Sequence, residues 1–182
     1  MLSAAREALR KGHVAIAPCG GFHHATFDCA ADFCTFNGLV VTARVLLSES
    51  LAKRVGILDA DMHYGDGTDD ILKRIRESRV HHFSVGEHYW ERGDDAPFFA
   101  DLPAILAGFD GCDVVLYQAG ADPHIDDPLG GWLTGEQLRQ RDRMVFEHCA
   151  ARGLPIAWNL AGGYQKPLRR VLDVHDNTLR EC

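Results

Sequence analysis

The chain has 182 residues, which is enough for a substantial core, and we expect residues 1–182 to form a single domain. Its net charge of −7 at pH 7 disfavours non-specific binding to nucleic acid, and no apolar run approaches membrane-spanning length. The N-terminus lacks the charged-then-apolar pattern of a secretory signal, so we expect a cytoplasmic protein with no membrane partner.

The first part of the chain alternates predicted helices and strands. Residues 3–11 are typical of a short amphipathic helix, and residues 13–17 are typical of a short strand that Pro18 closes. After a loop, the apolar residues between Phe36 and Leu47 follow the helical period. These patterns predict a helix–strand–helix opening.

A buried strand over residues 54–60 leads into an unusual stretch, residues 59–67, with the sequence Asp-Ala-Asp-Met-His-Tyr-Gly-Asp-Gly. Buried carboxylates are costly unless a positive charge pairs with them, and a metal ion would supply that charge. Asp61 and His63 are two positions apart, so on an extended chain they point to the same side and can bind one ion together.

The remaining chain continues the alternation. Thr68 is predicted to cap a helix that ends near Arg76, and residues 86–101 read as a long loop. The other expected elements are strands at 80–85, 113–118 and 155–160, helices at 102–109 and 134–152, and a C-terminal helix that starts at Pro167. The alternation predicts an α/β fold with three layers: a mainly parallel sheet of about five strands and helices on both faces.

The unusual residues follow the carboxyl ends of predicted strands. They are His23 with His24, the stretch from Asp59 to Asp66, Asp122, and Tyr164. Open parallel sheets bind their ligands along that edge. We therefore expect four loops that are distant in sequence to converge there.

Asp122 is the natural third ligand beside Asp61 and His63. Two carboxylates and a neutral imidazole offset the charge of a divalent ion and leave positions open for water and a substrate carbonyl, as catalytic zinc requires. Iron(II) or another first-row metal would also accept these ligands. The pattern predicts a catalytic metal site.

The residues around these ligands suit proton transfer. Adjacent imidazoles at His23 and His24 can move protons, and Asp59 and Asp66 are spare carboxylates that can orient them. Tyr164 follows two glycines and can donate its hydroxyl to an oxyanion. The implied reaction is metal-assisted hydrolysis of an amide or an ester.

Each of these residues also has an ordinary structural reading. An aspartate at a strand end is usually a helix cap or a turn former, and Asp66 and Asp127 fit turns. The histidine pair would otherwise lie on the surface, and Tyr164 would otherwise be a packed aromatic with a bonded hydroxyl.

Five motifs, in this order, resemble those of the histone deacetylase family, which includes acetylpolyamine amidohydrolases and bacterial acetoin-utilisation proteins. They are Gly21-Phe22-His23-His24-Ala25, residues 32–37, residues 59–67, Gly120-Ala121-Asp122 with residues 127–131, and Gly162-Gly163-Tyr164. The resemblance implies the arginase–deacetylase α/β fold. It also implies zinc-dependent hydrolysis of an acetylated amine such as acetyl-lysine or an acetylpolyamine.

The resemblance assigns roles to individual residues. The family's metal ligands correspond to Asp61, His63 and Asp122. Its paired histidines correspond to His23 and His24, and the carboxylates that orient them correspond to Asp59 and Asp66. Its oxyanion-binding tyrosine corresponds to Tyr164. Its substrate pocket falls on Phe33, Leu129 and Gly163. In some members Asp59 and Asp61 also help to hold a monovalent cation, so the resemblance implies a potassium site as well.

The sequence departs from the family pattern in several respects. Asp32 replaces the glycine usually found before Phe33, and Glu87 and His88 stand where other members have tunnel aromatics. Only 22 residues precede His23, so we expect the family's usual N-terminal portion to be lacking and the exposed flank to be covered in a homo-oligomer. Two alternatives to a deacetylase are an esterase-like amidohydrolase with an open cleft and a weakly active or inactive domain that binds metal or a partner.

Overall fold

The computed structural model describes all 182 residues. The strands are β1 (Val14–Ala17), β2 (Val55–Asp59), β3 (Val80–Ser84), β4 (Val114–Gly120) and β5 (Ile156–Ala161). The helices are α1 (Leu2–Lys11), α2 (Gly38–Ser48), α3 (Asp66–Arg74), α4 (Asp95–Ala107), α5 (Gly135–Arg152) and α6 (Arg169–Glu181). None of these helices combines the length and apolarity needed to cross a membrane.

All five strands pair in parallel, in the order β1-β5-β4-β2-β3. The chain leaves β2 toward β3 on one side and then crosses to β4 on the other side of β2. This reversal creates a crevice beyond the carboxyl ends of β2 and β4, which is where open α/β sheets place ligands. The parallel sheet expected from the sequence is confirmed.

Helices cover both faces of the sheet. Val114 and Leu116 of β4 face one core with residues of α1, α2 and α3. Val115 and Tyr117 face the opposite core with residues of α4, α5 and α6. Because successive side chains of a strand point to opposite faces, a fully buried strand such as β4 must be covered on both faces. The three-layer arrangement is confirmed.

The expected loop at residues 86–101 is wrong in its second half. Helix α4 begins at Asp95 and packs Phe98, Leu102 and Leu106 into the core. Because two prolines and three acidic residues lie between positions 94 and 103, the apolar residues of α4 do not show a clear helical period in the sequence. Proline near a helix start is compatible with the helix because the first N–H groups have no partner there.

Two local expectations around α3 are also wrong. Thr68 lies inside α3, which begins at Asp66, and the Thr68 hydroxyl accepts a hydrogen bond from Asn37 Nδ2 at 3.0 Å instead of capping the helix. Strand β2 ends at Asp59, so Asp61 and His63 do not share an extended segment. They approach each other through successive bends, in which the His63 N–H donates to Asp61 Oδ1 at 3.0 Å.

Candidate metal and catalytic site

The loops that follow four strands meet beyond the carboxyl edge of the sheet. The loops after β1, β2 and β5 line a cleft of about 220 Å³ there. Its lining includes residues 20–24, residues 32–34, Asp61, Gln118, residues 160–164 and His175. The expected convergence of distant loops is therefore present in the structure.

Asp61, His63 and Asp122 form the group of potential metal ligands. One ligand atom from each residue lies within 4.8 Å of the others. His63 Nδ1 is 3.1 Å from Asp61 Oδ1 and 2.9 Å from Asp122 Oδ2. Asp122 Oδ2 is buried, and apart from His63 Nδ1 it has no hydrogen-bond donor beside it. Two carboxylates and one imidazole that face a common point, with one carboxylate oxygen short of donors, fit a divalent cation.

The ionisation of these residues reflects an excess of buried negative charge. Burial, and then the charge of Asp61, raises the pKa of Asp122 to about 7. Hydrogen bonds to Asp122 and Asp61 raise the pKa of His63 to about 10. A cation among these groups would displace the protons that the raised pKa values of His63 and Asp122 favour in its absence.

Each of the paired histidines is oriented by a carboxylate. His23 Nδ1 lies 2.8 Å from Asp59 Oδ2, and His24 Nδ1 lies 2.7 Å from Asp66 Oδ1. Each Nε2 atom is left free of these carboxylates. Burial lowers the pKa of His23, but the charge and hydrogen bond of Asp59, together with the charges of Asp61 and Asp122, outweigh it and raise that pKa to about 9. Gln118 Nε2 fixes Asp59 in turn by donating to its Oδ1 at 2.9 Å.

Two glycines place Tyr164 beside the ligands. Gly162 and Gly163 have φ angles of 52° and 98°, and a Cβ atom at Gly162 would lie 2.2 Å from Asp122 Oδ1. The Tyr164 N–H donates to Asp127 Oδ2 at 2.8 Å. The Tyr164 ring centroid is 6.5 Å from that of His63. Burial, and then the charges of Asp122 and Asp61, raises the pKa of Tyr164 to about 12, so its hydroxyl keeps its proton at neutral pH.

Of the three residues expected in a substrate pocket, the structure places two at the cleft. Phe33 and Gly163 line the cleft, whereas Leu129 lies outside its lining. Phe33 is 86% exposed, and Leu129 is 52% exposed. Asp32 and Phe33 have positive φ angles of 41° and 64°, a left-handed backbone region that favours glycine. The cleft is open on this side.

Three residues of the site were not identified from the sequence. Gln118 could have been found because it is a polar residue at the end of an apolar strand. Asp127 forms the expected turn, but it is also buried and bonds to the Tyr164 backbone. Arg141 is buried in α5 although it lies in a charged run that resembles a solvent-exposed helix face.

Comparison with known sequences identifies related proteins. Residues 1–94 match the family model described as "Histone deacetylase domain". An uncharacterized protein of Picosynechococcus sp. is 32% identical over 181 residues, which cover 88% of this chain and 57% of the relative. Histone deacetylase 18 of Arabidopsis thaliana is 31% identical, with 78% of this chain and 26% of the relative covered. The chain thus spans little more than half the length of the first relative and a smaller share of the second.

Solved structures share the fold. Acetylpolyamine aminohydrolase from Burkholderia pseudomallei superposes with a TM-score of 0.75 at 22% identity, covering 99% of this chain and 59% of that one. The HDA15 HD domain superposes with a TM-score of 0.76 at 23% identity, covering 98% and 58%. These likenesses show that the parallel sheet and its helices follow the arginase–deacetylase fold over part of its usual length.

Proposed function

The chain belongs to the histone deacetylase family, and from that premise we propose that it hydrolyses an acetylated amine with the help of one divalent metal ion. The observation that carries the proposal is the approach of Asp61, His63 and Asp122 to within 4.8 Å of one another. Both histidine–aspartate pairs and Tyr164 lie around that group.

Zinc is the ion we propose, held by Asp61, His63 and Asp122. The oxygen, nitrogen and oxygen donors of these residues match catalytic zinc sites, and iron(II) would accept the same donors. When bound, the ion supplies Lewis-acid polarisation of the substrate carbonyl. A potassium ion beside Asp59 and Asp61 belongs to the same proposal.

Residues of the chain itself would carry out the proton transfers. His23 is buried beside Asp61, and Asp59 fixes its ring so that Nε2 faces the ligands. His24 has a side chain that is 15% exposed and is therefore better placed to give a proton to the departing amine. Tyr164 would donate its hydroxyl to the oxygen of the acyl group as negative charge develops there.

The proposed substrates are acetyl-lysine, acetylpolyamines and similar acyl amides. Matched relatives carry the names histone deacetylase and acetylpolyamine aminohydrolase, which supports this class. The open cleft beside Phe33 would admit an amine whose chain is not enclosed in a tunnel.

We also propose a homo-oligomer. Edge strand β1 leaves Val14 and Ile16 39% and 40% exposed, and an unpaired apolar edge favours association. Analytical ultracentrifugation tests this proposal, and a monomer at micromolar concentration would contradict it.

One observation favours a second candidate function. Phe33 is exposed and Leu129 lies outside the cleft, so the pocket walls that would hold an acyl chain are incomplete. A domain that binds metal or a partner with little turnover is the function that this openness favours.

Hydrolysis assays separate the two candidates. Zinc-loaded protein is incubated with an acetyl-lysine fluorogenic peptide, an acetylpolyamine and an aryl ester, with Asp122→Ala as the control. Turnover of the amides that disappears in Asp122→Ala supports the deacetylase. Stoichiometric zinc with no turnover on any substrate supports the binding domain.

A further inference from the structure

A second cluster of buried charge lies behind the metal loops. Arg141 and Asp142 of α5 are each 1% exposed. Arg141 Nε donates to Asp142 Oδ1 at 2.9 Å. Asp142 also accepts a hydrogen bond from the Tyr117 hydroxyl and one from the Thr178 hydroxyl, the latter at 2.6 Å. Buried ions are costly unless they are paired, and Arg141 Nη2 also lies 2.8 Å from Asp142 Oδ1, so Asp142 anchors the Arg141 guanidinium.

The free end of Arg141 reaches the loops that carry the ligands. Its Nη1 donates to the carbonyl oxygen of Ala60 at 3.1 Å and to that of Gly120 at 2.9 Å. Ala60 directly precedes Asp61, and Gly120 lies two positions before Asp122. A single guanidinium nitrogen therefore joins the backbones of both carboxylate-bearing loops.

The two loops touch each other at the point that Arg141 bridges. A Cβ atom at Gly120 would lie 2.5 Å from Asp61 Cα and 2.7 Å from Ala60 O. The Ala60 N–H donates to Gln118 O at 3.0 Å. Because these backbones are in contact, any shift between them passes directly to Asp61 and Asp122.

We propose that Arg141 is a positioning residue for the metal site: anchored by Asp142, it clamps Ala60 and Gly120 and so holds Asp61 and Asp122 at the separation one ion requires. This inference depends on the metal site proposed above. Arg141 does not line the cleft, so it acts through the two loops and not on the substrate. Outer contacts of this kind set the orientation of metal ligands.

The test is the zinc dissociation constant of the full metal-stripped chain, measured by competition with a chromophoric chelator. Arg141→Met is expected to bind zinc about 10–100-fold more weakly, which is the usual effect of removing a partner that orients a ligand. Arg141→Lys keeps the charge but cannot reach Asp142 and both carbonyls at once, so its affinity is expected between those of Arg141→Met and the wild type.

Two control variants separate the role of Arg141 from the loss of a positive charge and from a general loss of stability. Arg143→Met removes a neighbouring arginine that bonds to Glu181 on the surface, and Leu106→Ala destabilises the core at α4, a helix that carries no residue of the proposed site. Both are expected to keep wild-type zinc affinity. If Leu106→Ala weakens binding as much as Arg141→Lys does, the clamp is overturned.

The outcomes remain distinct if one variant is unstable. Where Arg141→Met does not fold, Arg141→Lys decides, and a Lys variant that binds zinc as tightly as wild type overturns the clamp. A wild-type chain that binds no zinc contradicts the proposed function itself. A wild-type chain that binds zinc with the same affinity as the Arg141 variants contradicts only the role of Arg141.

Discussion

The carboxylate of Asp122 lies between the loop that follows β2 and the loop that follows β5. Its Oδ1 accepts a hydrogen bond from the Met62 N–H at 3.3 Å, and its Oδ2 faces His63 Nδ1 at 2.9 Å. The Gly162 backbone closes the third side. At the residue scale the site depends on such close approaches, because even the single methyl group of alanine has no room in place of Gly162.

Gly162→Ala is expected to weaken zinc binding by at least about tenfold, since the new Cβ would lie 2.2 Å from Asp122 Oδ1. Gly153→Ala is the matched control, because Gly153 also has a left-handed φ of 59° but no atom within 4 Å of the added Cβ. Both variants lose about 1–2 kcal/mol of stability from the backbone strain. Zinc competition assays check the difference, and equal affinity in the two variants would contradict the proposed placement of Asp122.

Tyr164→Phe is expected to lower kcat by about 10²–10³-fold, the effect of losing one donor to a developing oxyanion. Zinc stoichiometry should not change, since Tyr164 is not a proposed ligand. Tyr64→Phe serves as the control because the Tyr64 hydroxyl donates to Asp69 outside the cleft. Steady-state kinetics check this prediction, and a Tyr164→Phe enzyme with normal kcat would remove the hydroxyl from the mechanism.

The predictable residues of the site share one property: they are unusual for their local surroundings. Asp61 and His63 follow a buried strand, and their motif alone suggested a metal site. Arg141 could not be found in this way, because the run Arg-Gln-Arg-Asp-Arg has the composition of a solvent-exposed helix face. Only the packing of α5 against α6 shows that Arg141 and Asp142 point inward.

At the scale of the elements, Asn37 links three parts of the chain. Its Oδ1 accepts from the Val40 N–H and caps α2, while its Nδ2 donates to Ala25 O and to the Thr68 hydroxyl. The loop that carries His23 and His24 is thereby held to α2 and α3.

Asn37→Ala is expected to cost about 2–4 kcal/mol of stability, because it removes a helix cap and leaves buried polar groups without partners. Thr134→Ala, which removes the capping box of α5, is expected to cost only about 1 kcal/mol. Urea denaturation of the metal-free proteins checks both values. Equal losses would show that Asn37 acts as a simple cap.

The strand and helix order could be predicted because strongly apolar strands alternate with amphipathic helices. The first half of helix α4 could not be predicted from local sequence, because its partners in the core, which include Trp132, lie far away in the sequence. The bends at residues 61–63 were missed because they depend on contacts between loops and not on local composition.

For the whole molecule, the metal site couples stability to pH. In the metal-free chain, His23 has a pKa of about 9 when folded and 6.5 when unfolded. Its contribution to stability is therefore complete below pH 6.5 and is lost as the pH rises through 9. The raised pKa of Asp122 acts in the same direction between 3.8 and about 7, because only the folded chain keeps that proton.

The free energy of unfolding of the metal-free chain is thus expected to fall by roughly 3 kcal/mol or more between mildly acidic and alkaline pH, since each unit of pKa difference is worth about 1.4 kcal/mol. Saturating zinc should oppose this fall, because the ligands bind the ion in their deprotonated forms. Urea denaturation in EDTA or in zinc measures both trends. Stability that rises with pH in EDTA would contradict the assigned ionisation of His23 and Asp122.

The most direct test of the whole site is a zinc titration of amide hydrolysis by the metal-stripped chain, with Asp122→Ala measured in parallel. We expect no turnover in chelator, a rise that saturates at one zinc ion per chain, and no rise in Asp122→Ala. Turnover that persists in chelator, or that survives Asp122→Ala, would contradict a metal-dependent deacetylase built on Asp61, His63 and Asp122.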